Sequence, residues 1–296
     1  MRGLRLKGEN LEGRYVIVDV RMAHDYPTIR RALFDPESNP GGTVLIHRQP
    51  DNIWRIDYQL RPDESAEEAM REETVRAKIS SILRDIGHEG EWDLEWWSVY
   101  AANTLLLDDY RDGRIFFIGD AAHIVPIFGV RGLNNGVADA ENIGWKLAKV
   151  IRGEAGEALL DSYTPERRGA TLDVFANAVK STRFMTPPTH GWKLMRDAAL
   201  SLSLSEPFAA AFANPRQMAP YDYADSPITD FIEGAVGATP GAVLPGVRLA
   251  DGAFLCDRLG RDFSAIWFGG AAERTKLEGA LKKVDPGAAA IFVGEG

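Results

Sequence analysis

The first third of the chain alternates between apolar and polar residues in a way that predicts a β-sheet. Residues 14–21 (RYVIVDVR) are rich in β-branched and aromatic side chains, which favour a strand. Residues 43–49 and 53–60 flank a Pro-Asp-Asn turn and predict a hairpin. Residues 65–86 carry apolar side chains at helical spacing, and residues 94–107 return to strand-like composition. The pattern therefore predicts a sheet of several strands with one helix covering it.

One face of the second hairpin strand is aromatic and apolar. Its period of two places Trp54 and Tyr58 on the same side of the strand. These side chains either line a substrate pocket or pack in the core under the covering helix, and the sequence leaves both interpretations open. Because large aromatic side chains dominate protein cores, Trp96, Trp97 and Tyr100 are expected to serve packing.

The middle of the chain has the pattern of an α/β unit. Residues 115–118 (IFFI) form a short apolar run that predicts a buried parallel strand. Gly119 and Asp120 follow at its carboxyl end, which is where α/β folds place ligands. Apolar residues then recur at helical intervals and predict an amphipathic helix over 136–152, which Gly153 ends.

The rest of the chain is predicted to contain a second long helix, a linker and a strand-helix-strand segment. Thr164 is expected to cap a second long helix, with proline at the next position, and Pro187 and Pro188 are expected to break it. From residue 214 the chain becomes rich in proline and glycine, which predicts a linker over the surface. After residue 248, two strand candidates surround a helix.

Composition narrows the class of protein. A formal net charge of −9 and the absence of any basic run argue against a nucleic-acid-binding protein, which needs a concentrated basic surface. Cys256 is the only cysteine, so no internal disulfide or cysteine-rich zinc site is expected, and a reducing compartment, the cytoplasm, is predicted. The apolar runs are much shorter than the roughly 20 residues that span a bilayer. Neither a metal site nor a membrane span is predicted.

Residues 113–168 contain the groups best suited to hold a ligand. Gly119 allows the backbone to approach a ligand closely, and Asp120 places a carboxylate where it can accept hydrogen bonds from polyol hydroxyls. Residues 129–136 hold three glycines and two asparagines just ahead of the predicted helix. Backbone N–H groups at that helix start favour an electron-rich or anionic edge.

The run GDAAH, the glycine and asparagine loop, DAENIGWKL and LLDSYTPERR together resemble the second flavin-binding motif of the class A flavoprotein aromatic hydroxylases. The resemblance implies that Asp120 binds the ribityl chain of FAD and that backbone N–H groups near Gly132 face the pyrimidine edge of the isoalloxazine ring. His123 is expected to be structural, because the oxygen chemistry belongs to the cofactor. The residues that the resemblance implies for FAD binding are Gly119, Asp120, Pro126, Gly129, Gly132, Leu133, Asn134 and Asn135.

Two features depart from the pattern of that family. Its loop often reads PPFGGQGMN, whereas this chain has PIFGVRGLN, so Val130 replaces a glycine and Arg131 adds a charge beside the flavin. The sequence also contains no GxGxxG, the fingerprint that would hold the pyrophosphate of a dinucleotide.

The resemblance extends over nearly the whole chain. The hairpin and the strand after it resemble the substrate-domain sheet of phenol- and hydroxyphenylpropionate-type hydroxylases, and the tail from Pro240 resembles the start of their thioredoxin-like C-terminal domain. The expected fold class is α/β (α+β), with an incomplete glutathione-reductase-type FAD-binding domain. The expected parts are a substrate-binding β-sheet domain (1–110), the C-terminal part of the FAD-binding domain with long helices (111–213), a linker (214–240) and a partial thioredoxin-like domain (241–296).

The function that the resemblance implies is hydroxylation of a phenolic or aromatic substrate with FAD, NAD(P)H and O₂. A small aromatic substrate and a homodimer are the expected partners, and no general base or other catalytic residue is identified. Two alternatives stay open: a truncated, non-catalytic fragment that does not bind FAD alone, favoured by the missing fingerprint, and a related flavin epoxidase or halogenase.

Overall fold

The computed structural model describes residues 3–126, 131–213, 220–230, 239–260, 262–268, 273–285 and 287–293. The fold is of the mixed α/β class, and the chain forms two compact units. The first comprises Met1–Ile143 and Tyr163–Ala219, and the second comprises Gly144–Ser162 and Pro220–Gly296. The four-part division expected from the sequence stays a prediction.

The described residues form ten strands and seven α-helices, which alternate along the chain. The strands are β1 (Lys7–Met22), β2 (Arg31–Phe34), β3 (Thr43–Arg48), β4 (Ile53–Gln59), β5 (Trp92–Leu106), β6 (Arg111–Asp112), β7 (Ile115–Phe116), β8 (His123–Ile124), β9 (Ser264–Phe268) and β10 (Ala289–Val293). The helices are α1 (Ala66–Ala69), α2 (Glu72–Asp85), α3 (Gly132–Ile151), α4 (Tyr163–Met185), α5 (His190–Leu202), α6 (Pro207–Ala213) and α7 (Arg274–Val284).

A six-stranded antiparallel sheet in the order β2-β3-β4-β1-β5-β8 forms the centre of the first unit. The predicted hairpin is confirmed as β3 and β4, in which Val44 lies opposite Tyr58. Its turn holds Asp51 and Asn52 at φ of 59° and 57°. Aspartate and asparagine tolerate this left-handed conformation better than most residues, so the turn residues set the register of the hairpin.

Helix α2 covers one face of this sheet and encloses the main core of the first unit. Its buried residues Val75, Ile79 and Ile82 pack with the aromatic side of β4. Trp54 is 0% exposed and Tyr58 is 2% exposed. Of the two interpretations of these aromatics, the structure supports packing in the core and not the lining of a substrate pocket.

The covering helix predicted over residues 65–86 is two helices, α1 and α2. The backbone leaves the helical path at Arg71, which is extended. The carbonyl of Met70 accepts a hydrogen bond from Trp97 Nε1 at 2.9 Å, and Trp97 packs against the core as expected. A donor from β5 therefore bonds the carbonyl of the residue that follows α1, an interaction that the helical period of the sequence does not contain.

The apolar run at residues 115–118 is not a buried parallel strand, so that prediction was wrong. Within it, β7 pairs antiparallel with β6. Ile115 and Ile118 are 40% and 42% exposed. A strand is buried on both faces only when other segments cover it, and β7 pairs with β6 alone in the described part of the chain.

Helix α3 begins at Gly132 rather than at residue 136. The N–H of Asn135 donates to the carbonyl of Arg131 at 2.9 Å, so the glycine and asparagine run forms the first helical turn instead of a preceding loop. The helix ends at Ile151, and Gly153 follows at φ 72°, as predicted.

Helix α4 begins at Tyr163, so Thr164 lies inside the helix and is not its cap. The Thr164 hydroxyl instead donates to Asp109 and accepts from the N–H of Tyr110. The helix ends at Met185, ahead of the two prolines, as the sequence predicts.

The second unit contains the predicted pair of strands around a helix. β9 and β10 pair in parallel, with Ile266 opposite Ile291, and α7 connects them. Lys149, in the part of α3 that belongs to this unit, places Nζ within 3.3 Å of Glu154, 3.3 Å of Asp262 and 3.1 Å of Asp285. One cation thereby joins three carboxylates of the unit.

Candidate functional site

Asp120 lies exposed on a tight turn that connects β7 to β8. Residues Gly119–Ala121 form one turn of 3₁₀ helix, in which the N–H of Ala122 donates to the carbonyl of Gly119 at 2.8 Å. Gly119 has φ 54°, a conformation that glycine adopts without strain. The turn therefore holds the carboxylate of Asp120 at the surface with the backbone of Gly119 beside it.

The turn packs directly against the first part of α3. A Cβ atom built on Gly136 would lie 3.2 Å from the Cα of Gly119, which is closer than ordinary contact. The absence of side chains at both positions therefore lets the turn and the helix meet. This close approach places Asp120 next to the N-terminal turn of α3.

A cleft of about 490 Å³ opens between the turn and the helix. Apolar side chains at the rim of this cleft are exposed to solvent: Leu133 is 80% exposed and Val137 is 61% exposed. By helix geometry, the first N–H groups of α3 have no partner within the helix, and the positive end of the helix dipole lies there. The lining residues are Ile118, Gly119, Asp120, Gly132, Leu133, Gly136, Val137 and Ala140.

A buried carboxylate under the turn fixes its position. Asp139, which is 0% exposed, accepts hydrogen bonds from the N–H of Gly119 at 3.0 Å, from His123 Nε2 at 2.8 Å and from Arg167 Nε at 2.7 Å. Burial acts to raise the pKa of Asp139, but the hydrogen bonds from His123 and Arg167 outweigh it and hold the pKa below its ordinary value. Asp139 is therefore a fixed anion that ties the turn, β8 and α4 together.

Asn135 belongs to this same buried network and not to the cleft. Its Oδ1 accepts from Arg167 at 2.6 Å and its Nδ2 donates to Thr171 Oγ1 at 3.1 Å. The hydroxyl of Tyr110 also donates to Thr171, at 2.9 Å. His123 is 0% exposed and lies in the same network, which agrees with a structural role.

The structure brings some of the predicted FAD-binding residues together and separates others. Gly119, Asp120, Gly132 and Leu133 line the cleft. Asn134 is exposed on the first turn of α3, outside the lining, and Asn135 points into the interior. Pro126 is buried just after β8. Gly129, like the neighbouring Val130, lies outside the described residues.

Sequence reasoning missed Asp139 and Arg167, the two charged groups that support the site. Both stand on helices and are nearly fully buried, with Arg167 3% exposed. Asp139 lies in the run DAENIG and Arg167 in the run YTPERR. In both runs, a charged residue occupies a position on the helix face that packs against other elements. Charged residues are rarely buried without a partner, so a pairing between the two runs was the available inference.

Tyr100 connects the central sheet to this site. Its hydroxyl donates to the carbonyl of Val125 at 2.7 Å. Burial, and then the negative charge of Asp120, raise the pKa of Tyr100 above its ordinary value. Tyr100 is therefore more than a packing residue, since it reaches the segment that follows β8.

These features fit one part of FAD. The exposed carboxylate of Asp120 is an acceptor for ribityl hydroxyls, and the start of α3 offers N–H donors to an electron-rich ring edge. The cleft between them is lined partly by apolar side chains that suit a flat aromatic ring. In the part of the chain that the structure describes, no group of three or more His, Cys, Asp or Glu side chains is arranged to hold a metal ion.

The fold is that of a mixed α/β protein with a cleft between the Asp120 turn and the start of α3. The sequence profile of the family described as FAD binding domain matches residues 6–178. The chain belongs to this family, which confirms the resemblance seen in residues 113–168.

The chain is also similar in sequence to named hydroxylases. The 3-(3-hydroxy-phenyl)propionate/3-hydroxycinnamic acid hydroxylase of Mycolicibacterium gilvum (strain PYR-GCK) is 27% identical over 274 residues, which cover 90% of this chain and 46% of that protein. The hydroxylase of the same name from Paraburkholderia xenovorans (strain LB400) is 40% identical over 162 residues, covering 55% of this chain and 25% of that protein. The chain thus spans less than half the length of these curated relatives.

Solved structures share the fold. The flavin-dependent monooxygenase PieE, in complex with FAD and substrate, superposes with a TM-score of 0.77 at 23% identity, covering 99% of this chain and 58% of that one. Aklavinone-11 hydroxylase, in a ternary complex with FAD and aklavinone, gives a TM-score of 0.74 at 21% identity, covering 99% of this chain and 54% of that one. Among the described residues, no helix combines the length and the apolar character needed to cross a membrane.

Proposed function

We propose that this chain forms the part of a flavin-dependent monooxygenase that binds the ribityl and isoalloxazine groups of FAD, and that the enzyme hydroxylates a phenolic ring. The observation that carries the proposal is the cleft between the Asp120 turn and the start of α3, in a chain of the FAD-binding family. Relatives named as hydroxylases of hydroxyphenyl acids support the substrate class.

Each part of the cleft has a defined task in this proposal. Asp120 accepts hydrogen bonds from the ribityl hydroxyls, and the first N–H groups of α3, near Gly132 and Leu133, face the pyrimidine edge of the flavin. The helix dipole stabilises negative charge at that edge. When bound, FAD supplies the redox chemistry, with NAD(P)H as reductant and O₂ as oxidant. Asp139 holds the turn in place through the N–H of Gly119.

The remaining assignments rest on the resemblance and the composition of the sequence. The reductant NAD(P)H, the homodimer, the cytoplasmic location and the division into four parts belong to this proposal. The epoxidase and halogenase alternatives would use the same cleft for FAD and differ in the substrate and in the bond that is formed, and the halogenase would also need a halide.

Titration of the purified chain with FAD, followed by quenching of flavin fluorescence, tests the proposal. Asp120→Ala removes a charged acceptor, whose hydrogen bonds contribute about 1.5–3 kcal/mol, so we expect FAD affinity to fall by about 10- to 100-fold. Glu141→Gln changes an exposed carboxylate of α3 that does not line the cleft and is expected to leave the affinity unchanged. A chain that ignores FAD, or equal affinity of Asp120→Ala and the parent, would contradict the proposal.

A further inference from the structure

Helices α5 and α6 form a helical hairpin on the surface of the first unit. One face of α5 packs inward: Arg196 is buried, and its guanidinium lies 4.4 Å from the ring centre of Phe34 on β2. Ala199 of α5 and Ala209 of α6 are buried as well, and the two helices contact each other. The hairpin is therefore attached to the unit by its inner face, which leaves its outer face open to a partner.

The outer face of this hairpin is apolar, and we call it the hairpin face. Its exposed large side chains are Leu194 (57%), Leu202 (47%), Leu204 (89%), Phe208 (63%) and Phe212 (55%). Single exposed apolar residues are ordinary, but a patch on two adjacent helices indicates an interaction surface. Burying these side chains would remove on the order of 500 Å² of surface from water in each chain, a large part of the ~800 Å² per partner in a standard protein interface.

The charges of the hairpin argue against a membrane surface as the partner. Residues 197–213 contain no lysine or arginine, and Asp197 and Glu206 are their only charged residues. Helices that lie on a bilayer surface are rich in lysine and arginine, which attract anionic lipids. The hairpin face instead combines leucine and phenylalanine with alanine and serine, which suits packing against another protein surface.

One row of side chains along α5 is chemically symmetric about Ala198. Residues at intervals of four lie next to one another on a helix surface. In this row they are His190, Leu194, Ala198, Leu202 and Glu206, and all five are exposed. The N–H of Glu206 donates to the carbonyl of Leu202 at 2.7 Å, which keeps Glu206 in line with the row beyond the end of the helix. The row thus runs from an imidazole through leucine, alanine and leucine to a carboxylate.

A second copy of the chain, turned about a twofold axis at Ala198, complements this row. In a twofold interface each contact occurs twice, so Leu194 meets Leu202 of the second copy at both ends of the row. The same operation places His190 opposite Glu206 of the second copy. This exposed pair fixes the direction of the helices more than the strength of the contact. At the axis, the small side chain of Ala198 allows the two helices to pack closely along their rows.

We infer that the hairpin face is the interface of a homodimer, in which α5 packs antiparallel against α5 of a second copy of this chain. Phe208 and Phe212 of α6 extend the apolar contact beside the central pair of helices. The inference goes beyond the proposed function, which names a homodimer without a surface, and it does not depend on flavin binding.

Analytical ultracentrifugation of the chain over a series of concentrations tests the inference. We expect an equilibrium between monomer and dimer. Leu202→Glu brings a carboxylate from each copy into an apolar contact, so we expect the dissociation constant of the dimer to rise by at least about 100-fold. Leu172→Glu is the matched control: Leu172 lies on α4, outside the hairpin face, and is 43% exposed. This control should keep the parent dissociation constant.

Disulfide cross-linking identifies the partner and the position of the axis. Cys256 is the only cysteine of the chain and is exposed, so Cys256→Ala gives a background without thiols. In that background, Ala198→Cys places a thiol beside its own copy on the proposed axis, and mild oxidation should give a covalent dimer. Ala77→Cys changes an equally small, exposed residue of α2 and should stay uncross-linked.

Three results would overturn the inference: a parent chain that stays monomeric at every concentration, including one that binds lipid vesicles instead, a dimer that Leu202→Glu leaves intact, or an Ala198→Cys chain that cross-links no faster than Ala77→Cys. The cross-linking result decides the matter if Leu202→Glu does not fold. Failure of the proposed function is recognised separately by FAD titration, since a chain that forms this dimer and ignores FAD contradicts only the proposed function.

Discussion

Two buried aspartates of the first unit have opposite electrostatic surroundings. Asp139 accepts hydrogen bonds from Gly119, His123 and Arg167, and these hold its pKa low. Asp57 Oδ1 has no hydrogen-bond partner among the residues that the structure describes, and burial raises the pKa of Asp57 to about 6. The same residue type therefore serves as a permanent structural anion in one place and as a group that titrates near neutrality in the other.

The raised pKa of Asp57 predicts a specific pH dependence of stability. Between its ordinary value of 3.8 and about 6, the folded chain binds more protons at this site than the unfolded chain. The free energy of unfolding should therefore fall as the pH rises through this window, by up to about 3 kcal/mol for this site. In urea unfolding at several pH values, Asp57→Asn should lack this decrease.

Glu95→Gln is the control for this measurement, because Glu95 lies at the rim of the sheet and should leave the decrease in place. Parallel stability profiles for the parent and Asp57→Asn would show that Asp57 does not carry the pH dependence.

At the scale of elements, the site is the junction of one turn and one helix. The 3₁₀ turn at Gly119–Ala121 presents Asp120, and α3 presents its N-terminal turn. Their spacing is set by two glycines, since Gly136 approaches Gly119 so closely that a Cβ would lie 3.2 Å from its Cα. The geometry of the cleft is thus sensitive to a single methyl group added at Gly136, which itself lines the cleft.

Gly136→Ala is expected to weaken FAD binding by about tenfold or more, because the added methyl displaces the Asp120 turn. Gly144→Ala is the matched control in the same helix, since a Cβ there has nothing within 4 Å. That control should keep FAD affinity and gain about 1 kcal/mol of stability from helix propensity. The measurements are FAD titration and urea unfolding, and equal FAD affinity of the two variants would refute the role of the glycine contact.

At the scale of the whole molecule, the chain forms two compact units with separate sheets. The first contains the central sheet, the cleft and the Asp139 network, and the second contains β9, α7 and β10. In the second unit, Lys149 is bonded to Glu154, Asp262 and Asp285. This cation joins the helical segment of the unit to the residue positions just before β9 and just after α7.

Lys149→Met keeps the apolar stem and removes the charge that the three carboxylates share. We expect amide hydrogens of β9 and β10 to exchange about tenfold faster or more, since like charges would then face one another without a counterion. Amides of β1, in the first unit, should keep their rates. Lys283→Met changes an exposed lysine of α7 and should leave both sets unchanged, and an equally large effect of that variant would argue against the specific role of Lys149.

Short-range patterns in the sequence determined much of this protein. Alternation and the Pro-Asp-Asn turn predicted the β3–β4 hairpin, and Gly153 and the Pro187 pair predicted where α3 and α4 end. The GDAAH run located Asp120 at a cleft. These features follow from turn geometry and side-chain period, which neighbouring residues carry by themselves.

Tertiary structure alone decided which surfaces these elements present. Trp54 and Tyr58 became core because α2 covers their face, and on the opposite face Asp57 Oδ1 has no hydrogen-bond partner in the described part of the chain. The carbonyl of Met70, just before the break at Arg71, accepts a hydrogen bond from Trp97 of β5, and the exposure of the 115–118 run depended on which strands pair with it. Such outcomes depend on contacts between segments far apart in the chain. Local sequence patterns do not determine which distant segment packs against a given surface.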